Sequence, residues 1–283
     1  MRGMLMQGLE KRINGWDIEK FFSEAARSTK PSAIREILQY LKNCQYGFGG
    51  GIPDPKYFPE KDLAIIAAEV ILKIPEASLQ YGVTGGVPAF KKELLKYFRE
   101  IEKKPTRSNK MLVTTGSQEG LNTIGDMLIN REDIVITTAP YYLGEAGVLN
   151  KRGAQVIAIP ITDDGFDLNR VEDELKKLDK EWKLPLVKFI YAVPDFNNPS
   201  GQTMTLENRT GLLEIAGRYG ILVIEDGPYR RLRYVGETIP SLMELDKYDC
   251  VIHLLSFSKI LVPGLRTGVA VFPHKKLRIK AEQ

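Results

Sequence analysis

The 283 residues carry 40 Lys and Arg against 36 Asp and Glu, a net charge of +4 mixed along a chain that is 43% hydrophobic and 27% charged. That balance fits a soluble globular protein able to bury a large core; it argues against nucleic acid as a partner, and no apolar run is long enough to span a membrane. Two cysteines, Cys44 and Cys250, and two histidines, His253 and His274, give no disulfide framework, metal site or Ser-His-Asp triad, so a reducing cytoplasmic setting is expected.

Residues 1 to 30 have no clear period, and Phe21-Phe22 reads as an arm that packs on another surface. From Pro31, the residues Ile34, Ile37, Leu38 and Leu41 recur with the helical spacing i, i+3, i+4, i+7. Gly47-Phe48-Gly49-Gly50-Gly51-Ile52-Pro53-Asp54 is either a flexible linker or backbone that comes close to a ligand. Asp62 to Lys73 is expected to be a largely buried helix. Tyr81 to Gly86 is a turn-rich loop, followed by a helix that opens at Pro88 and shares a face among Phe90, Leu94, Tyr97, Phe98 and Ile101.

An alternation of strands and helices follows. Met111 to Thr115 reads as a strand ending in Gly116-Ser117-Gln118-Glu119-Gly120-Leu121, which opens a helix that buries Leu121, Ile124 and Leu128. Free N–H groups at such a helix start suit a phosphate, although small residues also cap many helices. The spacing matches neither a P-loop nor a dinucleotide fingerprint. The strand Ile134 to Thr137 runs into Ala139-Pro140-Tyr141-Tyr142-Leu143-Gly144, where an aromatic can stack on a flat ring or cap the sheet edge. A strand over Val156 to Pro160 and a helix over Leu168 to Leu178 come next.

Pro185 to Val193 is a strand leading to the turn Pro194-Asp195-Phe196-Asn197-Asn198-Pro199-Ser200-Gly201. After a helix over Leu206 to Tyr219, the short buried strand Ile221 to Ile224 ends in Glu225-Asp226-Gly227-Pro228-Tyr229. A carboxylate there is costly unless paired; Glu225 reads as a solvent-facing turn residue. Val251 to Leu255 is a buried strand with His253 packed inside it. Ser256-Phe257-Ser258-Lys259 and Pro263-Gly264-Leu265-Arg266-Thr267-Gly268 follow. A lysine at a buried strand end is ordinarily a solvated surface residue. Here two hydroxyls flank it and an arginine follows a Pro-Gly turn, which also suits a Schiff-base amine beside a phosphate fork.

These segments together resemble the class I/II aminotransferases, the fold-type-I enzymes that use pyridoxal 5'-phosphate, and within them the 2-aminoadipate, kynurenine and aromatic aminotransferase branch. The resemblance implies that Lys259 holds the cofactor as an internal aldimine, and that Ser256, Ser258, Arg266, Ser117 and Gln118 hold its phosphate. It implies that Tyr142 stacks on the ring, that Asn198 and Tyr229 bond its phenolic oxygen, and that Asp226 keeps its pyridine nitrogen protonated. Gly50 and Asn198 would lie beside the substrate. Tyr81 would reach the neighbour's cofactor across a homodimer interface.

The fold so implied is an α/β large domain over residues 51–283, with a mostly parallel, helix-covered sheet. An N-terminal arm and helix over residues 1–50 would belong to the small domain. Family members continue into a C-terminal small domain that supplies an arginine for the substrate's α-carboxylate; that domain is expected to be missing here, and no residue takes the role. The implied activity is transamination between an L-amino acid and a 2-oxo acid such as 2-oxoglutarate. The alternatives are an incomplete cofactor-binding remnant and another reaction on the same scaffold, such as β-elimination.

Overall fold

The computed structural model describes residues 18–29, 45 and 51–283. The predicted helix from Pro31 and the first half of the glycine-rich stretch, Gly50 included, lie outside these residues. Among the described residues, eight strands form one sheet in the order β1-β8-β7-β6-β5-β2-β3-β4. They are β1 (Met111–Thr114), β2 (Ile134–Ala139), β3 (Gln155–Thr162), β4 (Gly165–Phe166), β5 (Val187–Ala192), β6 (Leu222–Asp226), β7 (Val251–Ser256) and β8 (Gly268–Val271). Strands β3, β2, β5, β6 and β7 are parallel, while β8 runs antiparallel between β7 and β1.

The central strands are continuous apolar runs because both faces are covered. On one face, Leu94 and Phe98 of helix α1 (Pro88–Glu100), Val171 and Leu175 of α2 (Leu168–Lys180) and Leu212 and Leu213 of α3 (Leu206–Tyr219) pack on Val223, Val251 and Val269. On the other, Leu121 and Ile124 of α4 (Ser117–Leu128) and Val148 and Leu149 of α5 (Leu143–Arg152) pack on Ile224, Ile252 and Ala270. Neighbouring residues of one strand thus serve opposite cores, as the two-residue period requires. Local chemistry sets the helix ends. The Thr205 side chain caps α3 by accepting from Asn208, and left-handed Gly220 ends it.

The same period corrects the reading of Glu225. Strand β6 runs two residues past Ile224, so Glu225 falls on the face opposite Asp226, directly beside His253 of β7. It is buried, its Oε2 lies 2.9 Å from His253 Nδ1, and its carboxylate accepts from the backbone of Leu242 and Met243. Burial pushes its pKa up, but the His253 charge and these donors outweigh it and hold Glu225 at about 2. Glu225 in turn outweighs the effect of burial on His253 and raises its pKa. The carboxylate's contribution to stability is therefore full above its ordinary value and is lost as pH falls through about 2; the imidazolium's is lost as pH rises through its elevated value. Glu225→Gln is expected to cost about 3 kcal/mol in urea unfolding at pH 7 and to flatten the acid limb of the stability curve.

A second correction concerns Glu60–Lys73, which is helical as its pattern predicts but has no buried residue. Ile65, Ile66, Ile71 and Leu72 are exposed. Helical period predicts an apolar face, but burial needs a second surface to cover it. The turn Leu184–Leu186 precedes β5 where strand was expected. No helix among the described residues is long and apolar enough to cross a membrane.

Candidate active site

Strands β1, β2, β5, β6 and β7 end at the same side of the sheet, where open α/β sheets bind ligands. Their loops enclose a cleft of about 760 Å³ whose lining includes Ser117, Gln118, Tyr142, Asn198, Asp226 and Tyr229, together with Ser256, Ser258, Lys259 and Arg266. Two further candidates do not line this cleft, one of them Tyr81, whose expected place is a neighbour's cofactor. Tyr81 is fully exposed and outside the cleft, and Gly50 falls outside the described residues, although its neighbour Gly51 lines the wall.

One end of the cleft is built for an anion. Helix α4 begins at Ser117 with no side-chain cap at Gly116, which leaves first-turn N–H groups for a ligand. Gly116 sits at φ +84°, and a Cβ there would meet Arg266 Nη2 at 2.5 Å; one on Gly268 would meet the Gly116 carbonyl carbon at 2.8 Å. These two glycines let the arginine lie against the helix start. Arg266 donates to the Thr115 carbonyl at 3.2 Å and to Ser258 Oγ at 3.4 Å, and the Ser258 N–H donates to Ser256 Oγ at 3.2 Å.

The floor carries a buried acid. Asp226 Oδ2 accepts from the Tyr191 hydroxyl at 2.7 Å, whereas Oδ1 has no partner. Burial pushes Asp226 up to about 6, against the Tyr191 hydrogen bond and the charge of His253, which lower it. Such an orphaned buried oxygen suits a cationic N–H supplied by a ligand. Above the floor, Asn198 Nδ2 donates to the Tyr229 hydroxyl at 3.0 Å. The Tyr142 hydroxyl is pushed up to about 12 by burial and by the nearby Asp226 and Tyr229, so it stays protonated and its ring presents a neutral flat face. Lys259 is half-buried; its Nζ donates to the Gly51 carbonyl at 2.6 Å, and burial lowers its pKa.

Sequence reasoning missed Tyr191, which reads as one more residue of an apolar strand. A signal exists: it shares a strand face with Phe189 and Val193, and a hydroxyl buried on that face needs a partner. Glu145 was also missed. It is buried in the first turn of α5, where Thr137 donates to its Oε2 at 3.0 Å, and burial raises its pKa well above the ordinary carboxylate range.

The profile of the family described as "Aminotransferase class I and II" matches residues 54–281. The chain is 38% identical to aromatic-amino-acid aminotransferase 1 of Thermococcus litoralis, covering 96% of this chain and 67% of that protein. It is 33% identical to 2-aminoadipate transaminase of Thermus thermophilus, covering 93% and 64%. Among solved structures, it superposes on a kynurenine aminotransferase of Pyrococcus horikoshii, in complex with PMP, with a TM-score of 0.87 and 36% identity over 95% of this chain and 66% of that one. The chain thus spans about two thirds of the length of these relatives. With a matching family profile over most of its length and the relatives' fold, the chain belongs to the class I and II aminotransferases.

Proposed function

We propose that the chain binds pyridoxal 5'-phosphate and moves an amino group between an L-amino acid and a 2-oxo acid, with glutamate and 2-oxoglutarate as one such pair. The observation that carries this reading is the unpartnered Oδ1 of buried Asp226 on the floor of the cleft that Lys259 also lines. The residues present fit that cofactor: an anion cradle at one end, a buried carboxylate for a ring nitrogen, a paired amide and hydroxyl for a ring oxygen, and an amine with lowered pKa. Once bound, the cofactor supplies an electron sink for negative charge developing at the substrate's α-carbon.

The chain's own residues divide the rest of the work. Arg266, Ser256, Ser258, Ser117 and Gln118 anchor the phosphate. Tyr142 would stack on the ring, Oδ1 of Asp226 would hold a proton on the ring nitrogen, and Asn198 and Tyr229 would donate to the ring oxygen. Lys259 Nζ would hold the cofactor and, once released, carry the substrate's α-proton to the cofactor's C4′; desolvation favours the neutral amine that this needs. A homodimer fits the exposed apolar face of Glu60–Lys73 and the exposed Tyr81, and a reducing cytoplasm suits the buried free thiol of Cys250.

The test is the absorption spectrum of the purified chain with added pyridoxal phosphate, before and after L-glutamate. A band of lysine-bound cofactor that converts to the pyridoxamine form is expected, from protein that sediments as a dimer. A band indifferent to amino acids would favour an incomplete site; release of ammonia and a 2-oxo acid from a β-substituted amino acid such as L-serine would favour elimination.

A further inference from the structure

One buried charge cluster lies outside the cleft but touches two of the loops that build it. Asp195 opens the turn that carries Asn198, and its carboxylate is about 1% exposed. Three arginines meet it. Arg209 of α3 donates through Nη1 at 3.2 Å and Nη2 at 2.9 Å; Arg230 and Arg233 donate at 3.3 and 3.1 Å. All five N–H donors of Arg209 are used, the others by the carbonyls of Met204, Pro194 and Pro240. Arg230 directly follows Tyr229 and is itself held by Glu102, Nε to Oε2 at 3.1 Å, and by Glu244 at 3.9 Å. Arg233 lies 4.7 Å from the ring centre of Phe196, a cleft residue that sits at φ +52°. A non-glycine residue in that conformation persists only where its surroundings impose it.

A buried ion cluster is weak evidence of stability, since the cost of desolvation offsets most of the attraction. Its effect is to fix one arrangement, and the arrangement here joins the Asn198 turn to the Tyr229 turn. We propose that Asp195 is a positioning residue: held by Arg209, Arg230 and Arg233, it sets the Asn198 amide and the Tyr229 hydroxyl against the ring oxygen of the bound cofactor. This rests on the proposed function above.

The experiment follows the pH midpoint at which the absorption band of lysine-bound pyridoxal phosphate changes, in the wild-type chain, Asp195→Asn, Tyr229→Phe and the double variant. Donors on the ring oxygen draw its charge away from the neighbouring imine proton; losing them makes the oxygen hold that proton more tightly. Asp195→Asn is therefore expected to raise the midpoint by about one pH unit, the tenfold change that one lost hydrogen bond gives. In the Tyr229→Phe background the rise is expected to shrink to less than half. Simple loss of a nearby negative charge predicts the opposite sign, a lower midpoint, and that result overturns the proposal, as does an unshifted or fully additive one. Should Asp195→Asn fail to fold, Arg233→Met leaves the other two arginines in place and is expected to give about half the rise; an unshifted midpoint there overturns the proposal equally. A band with no shift sinks this inference alone, whereas no band in the wild-type chain sinks it together with the function it rests on.

Discussion

Lys259→Ala is expected to reduce transamination by at least about 10³-fold and to abolish the absorption band of lysine-bound cofactor. The two losses have separate causes. The band needs the amine that bonds the cofactor, whereas turnover also needs that amine as the base that moves the substrate's α-proton, a role worth roughly 10²–10⁴-fold. Adding a small amine such as methylamine to the variant restores a free base without restoring the protein bond. Because the added amine forms an imine band of its own, the expected signature is partial recovery of rate with a cofactor that borohydride no longer fixes to the protein. Undiminished turnover in Lys259→Ala would remove this residue from both roles. Folding should be little affected, because the amine donates to the Gly51 carbonyl from a side chain that is only half-buried.

Asp226→Asn is expected to keep the cofactor but lose about 10²–10³-fold in turnover, as when one preorganised electrostatic contact is removed. Asparagine can still accept from the Tyr191 hydroxyl, but it carries no charge to hold a proton on the ring nitrogen. The same substitution has a second readout in the cofactor-free protein. Buried Asp226 has its pKa raised from 3.8 to about 6. The folded state therefore binds this proton more tightly than the unfolded chain, so Asp226 costs no stability below the lower value and progressively more as pH rises towards the upper one. Above pH 6, cofactor-free Asp226→Asn is expected to be more stable than the wild-type protein by up to about 3 kcal/mol, measured by urea unfolding. Adding pyridoxal phosphate should reverse the order, because only the carboxylate gains from the cationic partner. A variant less stable than the wild type in the cofactor-free state would mean that Oδ1 is not an orphan.

Most of the candidate site was legible because buried parallel strands are apolar runs with Gly, Pro and polar residues at their ends, and the residues that line the cleft follow those ends. Ser117, Asn198, Asp226 and Lys259 are each within a few residues of a strand terminus. What failed were statements about partners. Glu225-Asp226 reads as a loop because charged pairs usually are one, yet both belong to β6 and face opposite cores. Tyr191 and Asp226 are 35 residues apart and meet only because β5 and β6 are adjacent. Arg209 sits in the polar run Asn208-Arg209-Thr210, and nothing local tells it from a surface arginine, although it is fully buried. The Glu60–Lys73 helix shows the converse: its period was readable and its exposure was not.

The strand order has a consequence for biogenesis. Among the described residues, strand β1 lies at the edge of the sheet and pairs with β8 alone, Met111 opposite Val271. The residues that anchor it thus leave a ribosome long after the strand itself, and closing so long a loop has an entropic cost before any contact rewards it. Until Gly268–Val271 is available, the turn at Gly116 has no strand to hold it and Arg266 has no wall to lie against. The anion cradle is shared between an early and a late part of the chain, so a nascent polypeptide can form the β2-β5-β6 centre of the sheet while this corner is still unmade.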